Sequence, residues 1–184
     1  MPSQDNIVTK RPSGVRHLCL CAMLLGVALL LSYLEHLLPW ELLLPLPGIR
    51  PGWAQLAVTV TYFFVGRRSA ALLSATRVVI MALLFGSAMS FCFAACGAVL
   101  AFVGLLAGER LHRRCSYLGL GVLCATLHNV GQALAASVFF GAAVILSYLP
   151  VLLLGGVLTG ALGGVLLNLC AARLARLLTG GAKS

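Results

Sequence analysis

The sequence predicts an all-α integral membrane protein of about six transmembrane helices, and three observations carry that reading. Hydrophobic residues make up 61% of the 184 positions and charged ones only 9%, whereas a soluble domain draws roughly a quarter of its residues from Asp, Glu, Lys and Arg. The apolar residues come in runs of about 20, which only lipid or one another can solvate. The basic residues fall in or beside the short gaps between those runs.

That placement also decides what the net charge of +9 means. Clustered Lys and Arg would otherwise point to nucleic acid. Here Lys10, Arg11, Arg16, Arg67, Arg68, Arg110, Arg113, Arg114, Arg173, Arg176 and Lys183 all lie in or next to the gaps that alternate layout puts on one side. Arg50 alone falls on the other side and Arg77 within the membrane. Retention of positive loops in the cytoplasm accounts for this asymmetry and predicts a multi-pass protein of the cytoplasmic membrane with both termini inside and no nucleic-acid partner.

The spans follow in order. Residues 1–16 read as a cytoplasmic tail. Lys10, Arg11 and Arg16 resemble the n-region of a signal peptide, but the stretch from Leu18 to Leu38 is too long for an h-region and lacks a small-residue cleavage site, so it reads as the first span, about His17 to Leu38. Pro39, Pro45, Pro47 and Pro51 break any helix that follows, and an apolar, Pro-rich segment of about 39–52 reads as an outer lid with Trp40 and Trp53 at the interface. Span two, about Trp53 to Gly66, is short for a crossing. Span three is expected from Ser69 to about Gly86, a turn over Gly86 to Ser90, span four down to Gly108, and span five from Ser116 to about Phe140. Span six is expected from around Ser147, interrupted early by Pro150, so that one six-helix domain covers 17–178 and 179–184 form a cytoplasmic tail.

Two small-residue patterns mark close helix approaches. Gly156, Gly160 and Gly164 repeat every four residues in span six, and Ala22 and Gly26 do so in span one. Such spacing serves internal helix packing or docking of another subunit.

Ionisable groups within a bilayer cost roughly 2.5–3.5 kcal/mol each on insertion scales, so each needs a partner or a purpose. Glu35, Arg77, His128 and the neighbouring amides Asn129 and Gln132 are such positions. At about 1.5 Å rise per residue, Arg77 lies roughly 12 Å from the inner end of its span, His128 roughly 18 Å, Gln132 roughly 24 Å and Glu35 roughly 27 Å. All but Arg77 thus fall in the outer half. His128 and Gln132 share a helix face, with Gly131 thinning the helix between them. Two readings follow: a solute pocket between spans one, three and five beneath the lid (Pro47, Gly48, Pro51, Gly52, Trp53), or interhelical glue with Glu35 and Arg77 as a buried ion pair.

Catalytic signatures are missing from the sequence. No glycine loop followed by Lys-Ser or Lys-Thr cradles phosphate. With Asp5, Glu35, Glu41 and Glu109 as the whole acidic complement, no paired aspartates exist for magnesium-assisted diphosphate chemistry. The seven cysteines show no CxxC spacing; Cys92 and Cys96, one turn apart, read as packing residues rather than metal ligands. The expectation is a protein that is not an enzyme and carries no metal or cofactor.

Ser32-Tyr33-Leu34-Glu35, Pro47-Gly48-Ile49 with Gly52 and Ala54, Arg77, His128-Asn129-Val130-Gly131-Gln132 and Tyr148-Leu149-Pro150 with the spaced glycines resemble the Gx transporter family, which also carries the label heptaprenyl diphosphate synthase component I. The resemblance covers about residues 17–178, and His-Asn-x-Gly-Gln is its most specific piece. It implies likeness to the substrate-binding S components of energy-coupling factor (ECF) transporters: six helices, a vitamin-type small solute bound on the outer side, a transmembrane coupling subunit and two cytoplasmic ATPases. Where the family usually has Leu-Gly-Leu-Ala-Asn after its Pro-Gly, this chain reads Pro51-Gly52-Trp53-Ala54-Gln55, which puts lid and ligand in question. The synthase label implies instead an accessory role beside a polyprenyl synthase. A membrane redox component and a proton-coupled carrier are further readings.

Overall fold

The computed structural model describes residues 14–38, 52–85, 88–110 and 117–179, with side chains through 169 except that of Tyr117. The expected tails, and Pro47, Gly48 and Pro51 of the expected lid, lie outside these residues. Six helices follow one another: α1 (Gly14–Leu37), α2 (Gln55–Phe64), α3 (Arg67–Phe85), α4 (Ala88–Arg110), α5 (Tyr117–Phe140) and α6 (Ala142–Thr179). Five are long and apolar enough to cross a bilayer, and α2 is not. Ten residues make about 15 Å of helix, half of a hydrocarbon core.

The short helix is the hub. Among the described residues α2 touches each of the other five helices, while those five form an open arc in the order α1, α3, α4, α5, α6, whose two ends do not meet. Burial of Gln55, Ala57, Val58, Thr59, Thr61 and Tyr62 along α2 follows from this central place. The outer surface is apolar, with Leu18, Met23, Leu72, Leu83, Val138, Leu158 and Leu162 all largely exposed. Inside, Ser32, Glu35, Gln55, Arg77, His128, Asn129 and Gln132 are buried beside the aliphatic core. That inversion suits a chain whose solvent is lipid.

One end of the bundle is polar and basic. The Arg67 guanidinium at the start of α3 pairs with Glu109 near the end of α4 at 2.8 Å, and the Tyr62 hydroxyl donates to the same carboxylate. His17 in α1 meets the Ser69 hydroxyl at 3.1 Å. Arg16, Arg67, Arg68 and Arg110 therefore belong to one end, as positive loops require.

Two turns rest on single glycines. Gly66, at φ 129°, joins α2 to α3, its N–H bonding back to the Thr61 carbonyl at 2.9 Å. Gly141, at φ 86°, joins α5 to α6 with its N–H on the Ser137 carbonyl at 3.0 Å. Both ends use the left-handed cap that glycine adopts without penalty. The second corrects the expected start of span six: α6 begins at Ala142, not around Ser147, and Pro150 lies inside it. A proline costs one hydrogen bond, but in lipid the neighbouring backbone groups have no water to turn to and the helix continues.

The glycine stripe of α6 packs against α5. A Cβ on Gly160 would lie 2.5 Å from the Val122 Cα, one on Gly164 2.4 Å from the Leu118 Cα, and one on Gly156 3.0 Å from the Thr126 Cα. These are backbone-to-backbone contacts, so the three glycines serve packing within the bundle. Gly26 of α1 differs, since a Cβ there meets nothing within 4 Å, and Ala22 is exposed as well.

Candidate functional site

Four helices deliver polar side chains to one space, and Gly52, three residues ahead of α2, completes its wall. Ser32 and Glu35 come from α1, one turn apart on its inward face; Arg77 comes from α3, Ser90 from α4, and His128 and Gln132 from α5. The cavity has a volume of about 40 Å³. Arg77 joins this group although simple rise along the helix placed it nearer the inner end. A long guanidinium arm and the approach of α1 to α3 bridge the difference in depth.

Each polar group has a distinct bonding state. The Glu35 carboxylate accepts the backbone N–H of Trp53, two residues ahead of α2. That places an anion at the positive end of a helix whose own N-cap, Ala54, offers no side-chain acceptor. The Arg77 Nη1 donates to the Ser32 hydroxyl at 3.3 Å, while its Nε and Nη2 have no hydrogen-bond partner in a side chain only 5% exposed. Glu35 and Arg77 line the same space but make no direct ion pair, the one salt bridge among the described residues being Arg67–Glu109. Gln132 Nε2 and His128 Nε2 lie 2.8 Å apart, each ring or amide fixing the other across one helical turn.

The histidine ring is held between two glycines. A Cβ on Gly52 would come within 2.6 Å of its Cδ2, and one on Gly97 of α4 within 2.8 Å of its Cε1 and 2.9 Å of its Nδ1. Gly131 brings the α5 backbone against α4, where a Cβ would lie 2.6 Å from the Cys96 carbonyl oxygen. Gly52 has a second reason to be glycine, its φ of 81°.

Asn129 is not part of this space. Its Nδ2 donates to the Leu152 carbonyl of α6 at 2.8 Å, and so ties α5 to α6. Trp53 contributes its backbone N–H, and Gly52 its lack of a side chain. The family model described as heptaprenyl diphosphate synthase component I matches residues 24–170. The chain belongs to this family. Neither a curated protein nor a solved structure matches it.

In this member of the heptaprenyl diphosphate synthase component I family, the structure adds residues that the sequence analysis did not assign to the pocket. Ser32 and Ser90 line the cavity, and Gly97 seats the histidine. Ser32 could have been found as the residue three before Glu35 on the same helix face. Gln55 is fully buried with neither amide atom partnered, and its place after the departing Trp53-Ala54 pair was the signal. Ser90 and Gly97 carried none, since isolated small residues are common in membrane helices.

Proposed function

We propose that the protein is the solute-binding, S-component-like subunit of a small-molecule transporter in the cytoplasmic membrane, with both termini inside, and that partner subunits supply its energy. The observation that carries this reading is the free edge of the Arg77 guanidinium, buried in a polar cavity inside an otherwise lipid-solvated bundle. A charge so placed costs several kcal/mol unless a bound group meets it. Glu35, His128 and Gln132 converge on the same space from other helices, which is the geometry of a pocket that reads one ligand. The chain carries no catalytic role in this reading, because its few acidic residues offer no metal-assisted chemistry.

The partner face is α1. Ala22 and Gly26 lie open on its surface, and among the described residues α1 packs on α2 and α3 alone. A coupling subunit of the ECF type could bring a helix close there, and its cytoplasmic ATPases would drive release of the solute. The family description favours a second reading, a non-catalytic accessory of polyprenyl diphosphate or quinone synthesis. Native mass spectrometry in mild detergent separates the two. The transport reading expects a small molecule other than membrane phospholipid that leaves when His128 is replaced by Ala; phospholipid alone on both proteins, together with co-purification of a prenyl synthase, would favour the accessory.

A further inference from the structure

The polar cavity is too small for the solute of an ordinary binding pocket. Its volume of about 40 Å³ holds a few water-sized groups, against roughly 300–1,000 Å³ for typical ligand sites. Beside it lies a second space of about 400 Å³ between α3 and α4, lined by apolar side chains except for Ser74. The two share Val78 as a common wall, and their linings are sequence neighbours on both helices: Arg77 against Val78 and Val79, Ser90 against Phe91, Ala94 against Ala95. Head-sized polar space thus adjoins chain-sized apolar space.

We propose, building on the solute-binding reading above, that the ligand is an amphiphile with a carboxylate head and an apolar chain. The head takes the free edge of Arg77 and the chain lies in the α3–α4 groove. Nε and Nη2 form the side of a guanidinium that meets a carboxylate in two parallel N–H···O bonds, and in Arg77 these are the two unpartnered atoms. Nη1 is already spent on Ser32. The charge of the head is limited to one. Glu35 lines the same cavity, and although its carboxylate is turned to the Trp53 N–H, a doubly charged phosphate would add like-charge repulsion in a medium that screens poorly. The groove walls, with Ala71 and Ala75 of α3 across from Ala95, Phe102 and Val103 of α4, supply apolar contact, Ser74 bringing the one hydroxyl.

The test measures binding of butyrate, octanoate, octyl phosphate and octyltrimethylammonium to the purified full chain by calorimetry. Octanoate should bind on the order of tenfold or more tighter than butyrate, since each buried methylene adds about 0.8 kcal/mol before micelle partition takes its share. Octyl phosphate should bind more weakly than octanoate and octyltrimethylammonium not at all. Ala75→Phe and Ala95→Phe fill the groove from opposite walls and should each erase the octanoate advantage while leaving butyrate bound; two variants guard against one that does not fold. Arg77→Gln should erase the preference for carboxylate over ammonium. Butyrate binding that depends on Arg77, with no gain for octanoate or a gain that survives both groove variants, overturns the chain site and leaves the solute-binding reading standing. Failure of both carboxylates to bind above Arg77→Gln overturns the head assignment, and the mass-spectrometric comparison with His128→Ala then judges the solute-binding reading on its own.

Discussion

Replacing Gly52 by Ala tests the seat of the histidine, because two separable costs meet at that residue. The first is backbone: at φ 81° a side chain costs about 1–2 kcal/mol. The second is steric. The new Cβ would lie 2.6 Å from the His128 Cδ2 and 3.2 Å from its Nε2, and the ring cannot retreat, because Gly97 of α4 already touches its far edge. Overpacking of this kind costs about 1–3 kcal/mol. At roughly 2–4 °C per kcal/mol for a chain of this size, Gly52→Ala should lower Tm by around 10 °C. Gly141→Ala isolates the first cost, since it has φ 86° and nothing within 4 Å of a Cβ, and should fall by only about 4 °C. The decisive variant is Gly52→Ala combined with His128→Ala, which keeps the backbone cost and removes the ring. Thermal unfolding of the four proteins of this cycle should give a coupling of about 1–3 kcal/mol in favour of the double variant. Additivity within about 0.5 kcal/mol would refute the idea that Gly52 and the ring are in contact.

Gly160→Ala should destabilise the protein by about 1–2 kcal/mol, the steric cost against the Val122 and Gly121 backbone less the helix-propensity gain. Gly155→Ala, with open space around it, should leave Tm unchanged or raise it, and equal behaviour of the two in a thermal-shift assay would count against the α5–α6 contact. Glu109→Gln should lower Tm by a few degrees at most, because the Arg67–Glu109 side chains are 62% and 36% exposed and such pairs contribute under about 1 kcal/mol; the difference should shrink as salt is raised, and a salt-independent loss would assign it to Tyr62 instead. A C-terminal fusion should fluoresce with green fluorescent protein and be inactive with alkaline phosphatase; the reverse pattern would invert the orientation.

The pair His128 and Gln132 was legible in the sequence because helical periodicity alone puts residues four apart on one face, and the glycines of α6 were legible as a packing stripe for the same reason. What periodicity does not supply is the direction of one helix relative to another. It therefore placed Asn129 with its neighbours, although a one-residue step turns its amide about 100° round α5 toward α6, and it kept Arg77 apart, although α1 and α3 bring the guanidinium to Ser32. The joint at Gly141 was hidden by Pro150, which reads as a helix boundary in water and is tolerated inside a helix in lipid. The contacts of Gly52 and Gly97 with the His128 ring join residues far apart in the chain, and no local pattern announces them.

A translocon selects segments by hydrophobicity over windows of about 20 residues, and by that measure it recognises five of the six described helices and passes over α2. The hub of the bundle is thus the one described helix too short to enter the bilayer by itself. Its buried Gln55, Thr59 and Thr61 make solitary insertion still less favourable, so α2 is drawn in by neighbours that are already in place. A change that weakens the grip of the surrounding helices on α2 is expected to show first as failed assembly in the cell rather than as a weaker site.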